Sequence, residues 1–176
     1  MKAFQNVTGN LRMFLEIRSC HFVVCEGKNS MSRPLAIAIG LGIPAFVVCD
    51  GDANECDDAS RSQSHERDNG CLLRLCGLML DPIPEEIYWS SRLVMWKTKI
   101  LTEIRNELDA DVWNEAEIEA RSTADLRDGV AQKNPLVISA TLERLWEKGI
   151  KSKHLERLCR SVLAHAKAAD SIESAA

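Results

Sequence analysis

The segment Ala45-Phe46-Val47-Val48-Cys49-Asp50-Gly51-Asp52 constrains this chain more than any other. Five apolar or strand-forming residues in succession suit a strand buried on both faces, and the run stops abruptly at two aspartates flanking a glycine. A strand of that kind belongs to a sheet with helices packed on it. A second such run, His21-Phe22-Val23-Val24-Cys25, stands upstream. Between the two runs, residues 27–30 read as a loop, and Ser32 as the N-cap of a helix over residues 33–41 with Pro34 in its first turn. This helix is apolar nearly all round, which predicts cover on both sides. Gly42 suits the position past its end, and Ile43-Pro44 turns the chain. Strand, helix and strand within about 30 residues predict a parallel crossover unit, whose ligands bind at the carboxyl ends of the strands. Asp50 and Asp52 sit at that edge.

Beyond this unit the pattern changes. Residues 51–70 are polar and strongly acidic, and residues 50–68 hold seven acids against two arginines, as expected of a solvated loop. From Cys71 onward the pattern is mostly helical: a short helix near residues 71–75 stopped at Gly77, then an amphipathic one over residues 97–108 with Ile100, Leu101, Ile104 and Leu108 on one face. Asp111 is placed to cap the next, which carries Val112, Trp113 and Ala116. Asn134-Pro135 starts a helix over residues 136–148 that Gly149 closes, and Ser152 caps a last one reaching about residue 168. The expected organisation is therefore an N-terminal segment over residues 1–20, an α/β core over residues 21–80, a helical C-terminal extension over residues 81–168, and a flexible tail over residues 169–176.

Composition narrows the class. Of 176 residues, 45% are apolar and 27% charged, too apolar for a disordered chain. No stretch reaches the roughly 18 uninterrupted apolar residues that span a bilayer. The first ten residues lack the basic start and apolar stretch of a secretory signal, so the expectation is a cytoplasmic protein without a membrane partner. The seven cysteines form no Cys-x-x-Cys pair and no zinc-finger spacing, and their odd number fits reduced thiols. Cys25, Cys49, Cys76 and Cys159 lie within apolar patterns, as small buried hydrophobes do.

The Asp50-Gly51-Asp52 tip has a definite chemistry. Side chains alternate along a strand, so an intact strand points residues 50 and 52 the same way. Two hard carboxylates at a wet sheet edge suit Mg²⁺ or Mn²⁺, which keep waters for a phosphate substrate. Such ions activate the nucleophile and neutralise the leaving oxygen in phosphodiester chemistry. A solvated Asp-Gly-Asp turn is the plain alternative.

The stretch GKNSMSRPLAIAIGLGIPAFVVCDGDAN, residues 27–54, resembles the second half of the Toprim domain of the OLD (overcoming lysogenization defect) family of ATP-dependent endonucleases. The Gly-Lys-Asn/Ser and Arg-Pro signature, the Leu-Gly-Ile-Pro turn and the Asp-x-Asp ending agree in order and spacing. LLRLCG at 72–77 and QKNPLV at 132–137 resemble the run that follows in that family. The resemblance implies a Toprim-like, partial parallel sheet with a helical C-terminal extension, and metal-dependent cleavage of DNA. It implies Asp50 and Asp52 as ligands of Mg²⁺ or Mn²⁺, and Lys133 as the basic residue facing charge on the phosphate. Toprim domains also carry a glutamate at the end of the first strand. Glu26 takes that role on one register; on the other, the glutamate lies upstream of this sequence. The family joins its Toprim half to an ABC-type ATPase half, and no Gly-x-x-x-x-Gly-Lys-Ser/Thr phosphate loop is present here, so an ATPase chain is an expected partner. Where the family often shows a Phe-Glu pair, this chain reads Met95-Trp96-Lys97-Thr98-Lys99. A lysine there repels a second metal ion. The alternative expectation is a catalytically impaired Toprim remnant that binds a partner or DNA.

Tyr88 and the four tryptophans read as packing residues, and His21, His65, His154 and His165 show no metal-ligand spacing. Residues 140–168 carry seven basic against three acidic side chains, an excess able to follow a DNA backbone.

Overall fold

The computed structural model describes residues 20–55, 59–123 and 134–173. Along them run α1 (Lys28–Gly40), β1 (Val47–Asp50), a single 3₁₀ turn (Ala53–Glu55), α2 (Ala59–Leu75), β2 (Tyr88–Trp89), β3 (Leu93–Trp96), α3 (Ile100–Leu108), α4 (Ala110–Thr123), α5 (Pro135–Glu147) and α6 (Lys153–Glu173). The fold is mixed α/β, with a small sheet and a helical C-terminal region. The sheet is mixed rather than parallel throughout. Its order is β1-β3-β2, with β1 parallel to β3 and β2 antiparallel to it.

The central strand explains the layering. All four residues of β3 are fully buried, so both faces of the sheet are covered there. On one face Leu93 and Met95 join Val47 and Cys49 of β1, Leu35 of α1, and Leu72 and Leu73 of α2 in one apolar cluster. On the other face Trp96 meets Trp89 and His154 edge to face, and Phe46 meets His165, so α6 lies across the sheet. Cys49 is enclosed so fully that burial pushes its thiol up to about 12. A second apolar cluster holds the helical half together: Ile104 and Leu108 of α3, Trp113 and Ala116 of α4, and Leu145 of α5.

Several expectations are corrected. Residues 21–25 form no strand; Phe22, Val23 and Val24 are 78%, 72% and 92% exposed. The parallel partner of β1 is instead β3, reached through α2 and β2, so the crossover lies downstream of β1. Helix α1 begins at Lys28 with Gly27 as its N-cap, which places Ser32 and Pro34 inside it. It is covered on one side only: Leu35 is buried while Ile37 and the following Leu41 are exposed. Much of the acidic stretch is not loop but α2, long enough to bury Asn69 and Gly70 against the sheet end. Cys25 is half-buried and Cys159 exposed, unlike Cys49 and Cys76; these and the other described cysteines are free thiols.

The helical half follows its local signals closely. Asn134 accepts the Leu136 N–H (2.9 Å), Gly149 takes φ 78° after α5, and Ser152 accepts the Leu155 N–H at the start of α6 (3.1 Å). The cap before α4 is Asp109, which accepts the Asp111 N–H (2.9 Å), rather than Asp111 itself. Helix α6 continues to Glu173, beyond the expected end. No helix among the described residues is long and apolar enough to cross a membrane.

Candidate functional site at the end of the first strand

The chain leaves the sheet at Gly51 because nothing larger fits there. A Cβ on Gly51 would lie 2.3 Å from the Trp96 carbonyl oxygen and 2.4 Å from the Pro84 ring. The strand pairing runs one residue past β1, with the Gly51 N–H donating to the Trp96 carbonyl (2.7 Å) and the Ala53 N–H to that of Lys97 (3.0 Å). Asp52, between them, takes φ 55°, in the left-handed region that aspartate tolerates better than most side chains. This break in backbone geometry ends the strand alternation on which a common direction for the two carboxylates rested.

The two carboxylates accordingly engage different helices. Asp50 is the last residue of β1 and accepts the Ile100 N–H at the start of α3 (2.9 Å). Burial raises its pKa above the ordinary carboxylate value, against the lowering effect of that backbone hydrogen bond; Asp52 raises it further, and Lys28 and Lys99 lower it. Asp52 is turned to α1 and α2. Its Oδ2 lies 2.7 Å from the Lys28 ammonium and 3.7 Å from His65 Nδ1. Both side chains of the Lys28–Asp52 pair are nearly buried, at 11% and 12% exposure. The ammonium also donates to the Gly51 carbonyl (3.4 Å), which accepts a second hydrogen bond from the buried Asn69 amide (2.9 Å). Asn69 donates onward to the Pro82 carbonyl (2.7 Å), locking the strand end to the loop before β2.

Lys28 thus occupies the cationic position that the sequence assigned to a divalent ion. Among the described residues no group of three or more histidine, cysteine or acidic side chains is placed to hold a metal. As arranged, the donor set does not fit Mg²⁺ or Mn²⁺: an ion would have to displace Lys28 from Asp52 and compete with the Ile100 N–H for Asp50. Glu26 is exposed at the bend before α1. Lys133 lies outside the described residues.

No family model, curated protein or solved structure matches this chain.

Sequence reasoning missed Lys28, His65 and Asn69. Lys28 stood in the stretch read as a loop; only with the helix starting at Lys28 does it become a first-turn lysine, which opposes the helix dipole and calls for a compensating carboxylate. His65 and Asn69 fell in the stretch read as loop, where nothing marked them. Five of the seven basic residues in 140–168 have partners within the fold. Arg144 pairs with Glu147, Lys148 with Glu119, and Arg160 with Glu156. Lys151 sits over the Trp146 ring and Arg157 over that of Trp89, at 4.2 and 4.3 Å from the ring centroids.

Proposed function

We propose that the chain is a Toprim-like module impaired for catalysis, which serves as a binding module for a partner protein. The observation that carries this reading is the 2.7 Å contact between the Lys28 ammonium and Asp52, nearly closed to water on both sides. A buried carboxylate already neutralised by a fixed ammonium gains less from a divalent ion, and releasing it would leave a buried lysine unpaired. The engagement of the C-terminal basic residues with glutamates and tryptophans favours a protein partner over DNA.

The position of Asp50 and Asp52 at the carboxyl end of a parallel strand favours a second reading. On it, the resemblance to the OLD nuclease half extends to function. Asp50 and Asp52 would then hold Mg²⁺ or Mn²⁺, which would supply hydrolysis of DNA phosphodiesters, with Lys133 as the basic residue that the resemblance assigns to the phosphate and an ABC-type ATPase as partner.

A supercoiled-plasmid nicking assay in Mn²⁺ or Mg²⁺ separates the two. The expected result is no nicking above that of matched preparations of Asp50→Ala and Asp52→Ala. Nicking by the unaltered chain that both substitutions abolish would establish the nuclease reading instead.

A further inference from the structure

β1 is an edge strand, and its outer side carries no strand among the described residues. The Val47 N–H donates to Arg92 and the Gly51 N–H to Trp96, so in a parallel ladder residues 47, 49 and 51 bond to β3. The backbone N–H and C=O groups of Val48 and Asp50 therefore face away from the sheet. Parallel strands are seldom left open in this way, because an open edge invites another strand. Apolar side chains gather on the elements leading into this edge: Val48 itself is 37% exposed, and Ile37, Leu41 and Ile43 are 54%, 70% and 55% exposed.

The same chain carries a strand-forming run that no described strand pairs with. Residues 21–25 have strand composition but form no regular element, with Phe22, Val23 and Val24 exposed, and a bend at residues 26–27 joins them to α1. These five residues are long enough to pair along the four of β1. An edge open among the described residues and an exposed strand-forming run in the same chain are complementary to each other.

We infer that two copies of this chain associate by strand exchange, residues 21–25 of each adding to the outer edge of β1 in the other. The exchange is reciprocal, so both copies contribute the same surfaces, as a two-fold dimer requires. Backbone hydrogen bonds to residues 48 and 50 supply the register, and Phe22, Val23 and Val24 cover the exposed apolar side chains around the edge. The inference deepens the binding-module reading by naming the partner as a second copy.

The test is mass by sedimentation or light scattering across a dilution series, in reductant so that Cys20 and Cys25 cannot cross-link. The unaltered chain is expected to be a dimer. Val24→Asp, at a position 92% exposed and so harmless to the monomer's core, is expected to weaken dimerisation at least about tenfold, or 1.4 kcal/mol. A labelled peptide of residues 20–26 is then expected to bind the Val24→Asp monomer, and to fail against a Val48→Pro version of it, which lacks an edge N–H. Circular dichroism verifies that Val48→Pro is folded; if it is not, protection of the Val48 amide by the peptide in hydrogen exchange replaces it. A monomer at every concentration overturns the inference, including one in which residues 21–25 are protected by folding back on their own β1. So does a dimer indifferent to Val24→Asp, or a peptide that does not bind. None of these readouts involves metal or DNA, so a monomer leaves the Lys28–Asp52 reading standing, and nicking activity leaves the dimer standing.

Discussion

Asp50 and Asp52 are separated by one residue, yet different physics governs each. Asp50 works as a side-chain acceptor for the first turn of α3, at the cost of a partly desolvated charge. A carboxyl whose folded pKa is raised contributes stability below its ordinary pKa, and that contribution is lost as pH rises through the folded value. Asp50→Asn keeps an acceptor for the Ile100 N–H and removes the charge. In denaturant titrations the unaltered protein should therefore lose stability relative to Asp50→Asn as pH rises from the ordinary carboxylate value upward. Asp50→Ala, which removes the acceptor, should cost about 1 kcal/mol against Asp50→Asn at neutral pH. A gain of the unaltered protein over Asp50→Asn with rising pH would contradict this account of Asp50. The sequence displayed both aspartates and the glycine plainly. It did not display their directions, because those depend on a single positive φ at Asp52 and on Lys28, 24 residues away.

At the scale of elements, what was legible was what is local. Asn134-Pro135, Gly149 and Ser152 mark helix ends by chemistry confined to a few residues, and the structure uses all three. The apolar face of α3 was likewise readable from spacing, with Ile104 and Leu108 buried as expected. β3 left no such trace: Leu93-Val94-Met95-Trp96 is buried on both faces, so it shows no alternation and is too short to stand out. The run at residues 21–25 looks like a strand for the same compositional reasons as β1, but composition does not say which strands pair. Contacts between elements were also invisible. Glu107, near the end of α3, accepts hydrogen bonds from Ser152 Oγ, the Lys153 N–H (2.7 Å) and the His154 N–H (3.3 Å), closing the N-terminus of α6 with a carboxylate from another helix. A negative group there also complements the dipole of α6. Glu107→Ala should lower stability by about 2 kcal/mol and speed hydrogen exchange in the first turn of α6 ahead of α5. Uniform exchange across both helices would mean that this contact does not hold α6 in place.

For the molecule as a whole, the layering assigns distinct work to its parts. Helices α1 and α2 cover one face of the sheet, α6 the other, and α3, α4 and α5 form the second apolar cluster. The strand end lies where α1, α2 and α3 converge: α1 sends Lys28 to it, α2 His65 and Asn69, and α3 the Ile100 N–H. This convergence gives each carboxylate a partner from within the protein. The chain carries a formal charge of −4, while residues 140–168 hold seven basic against three acidic side chains. The central claim is that Lys28 stands in for a divalent cation at Asp52. It is tested most directly by titrating Mn²⁺ into the protein and following the free ion by electron paramagnetic resonance. The unaltered chain should leave Mn²⁺ free, while Lys28→Ala should take up one ion in a manner abolished by adding Asp52→Asn. Stoichiometric uptake of Mn²⁺ by the unaltered chain, lost on Asp52→Asn, would contradict it.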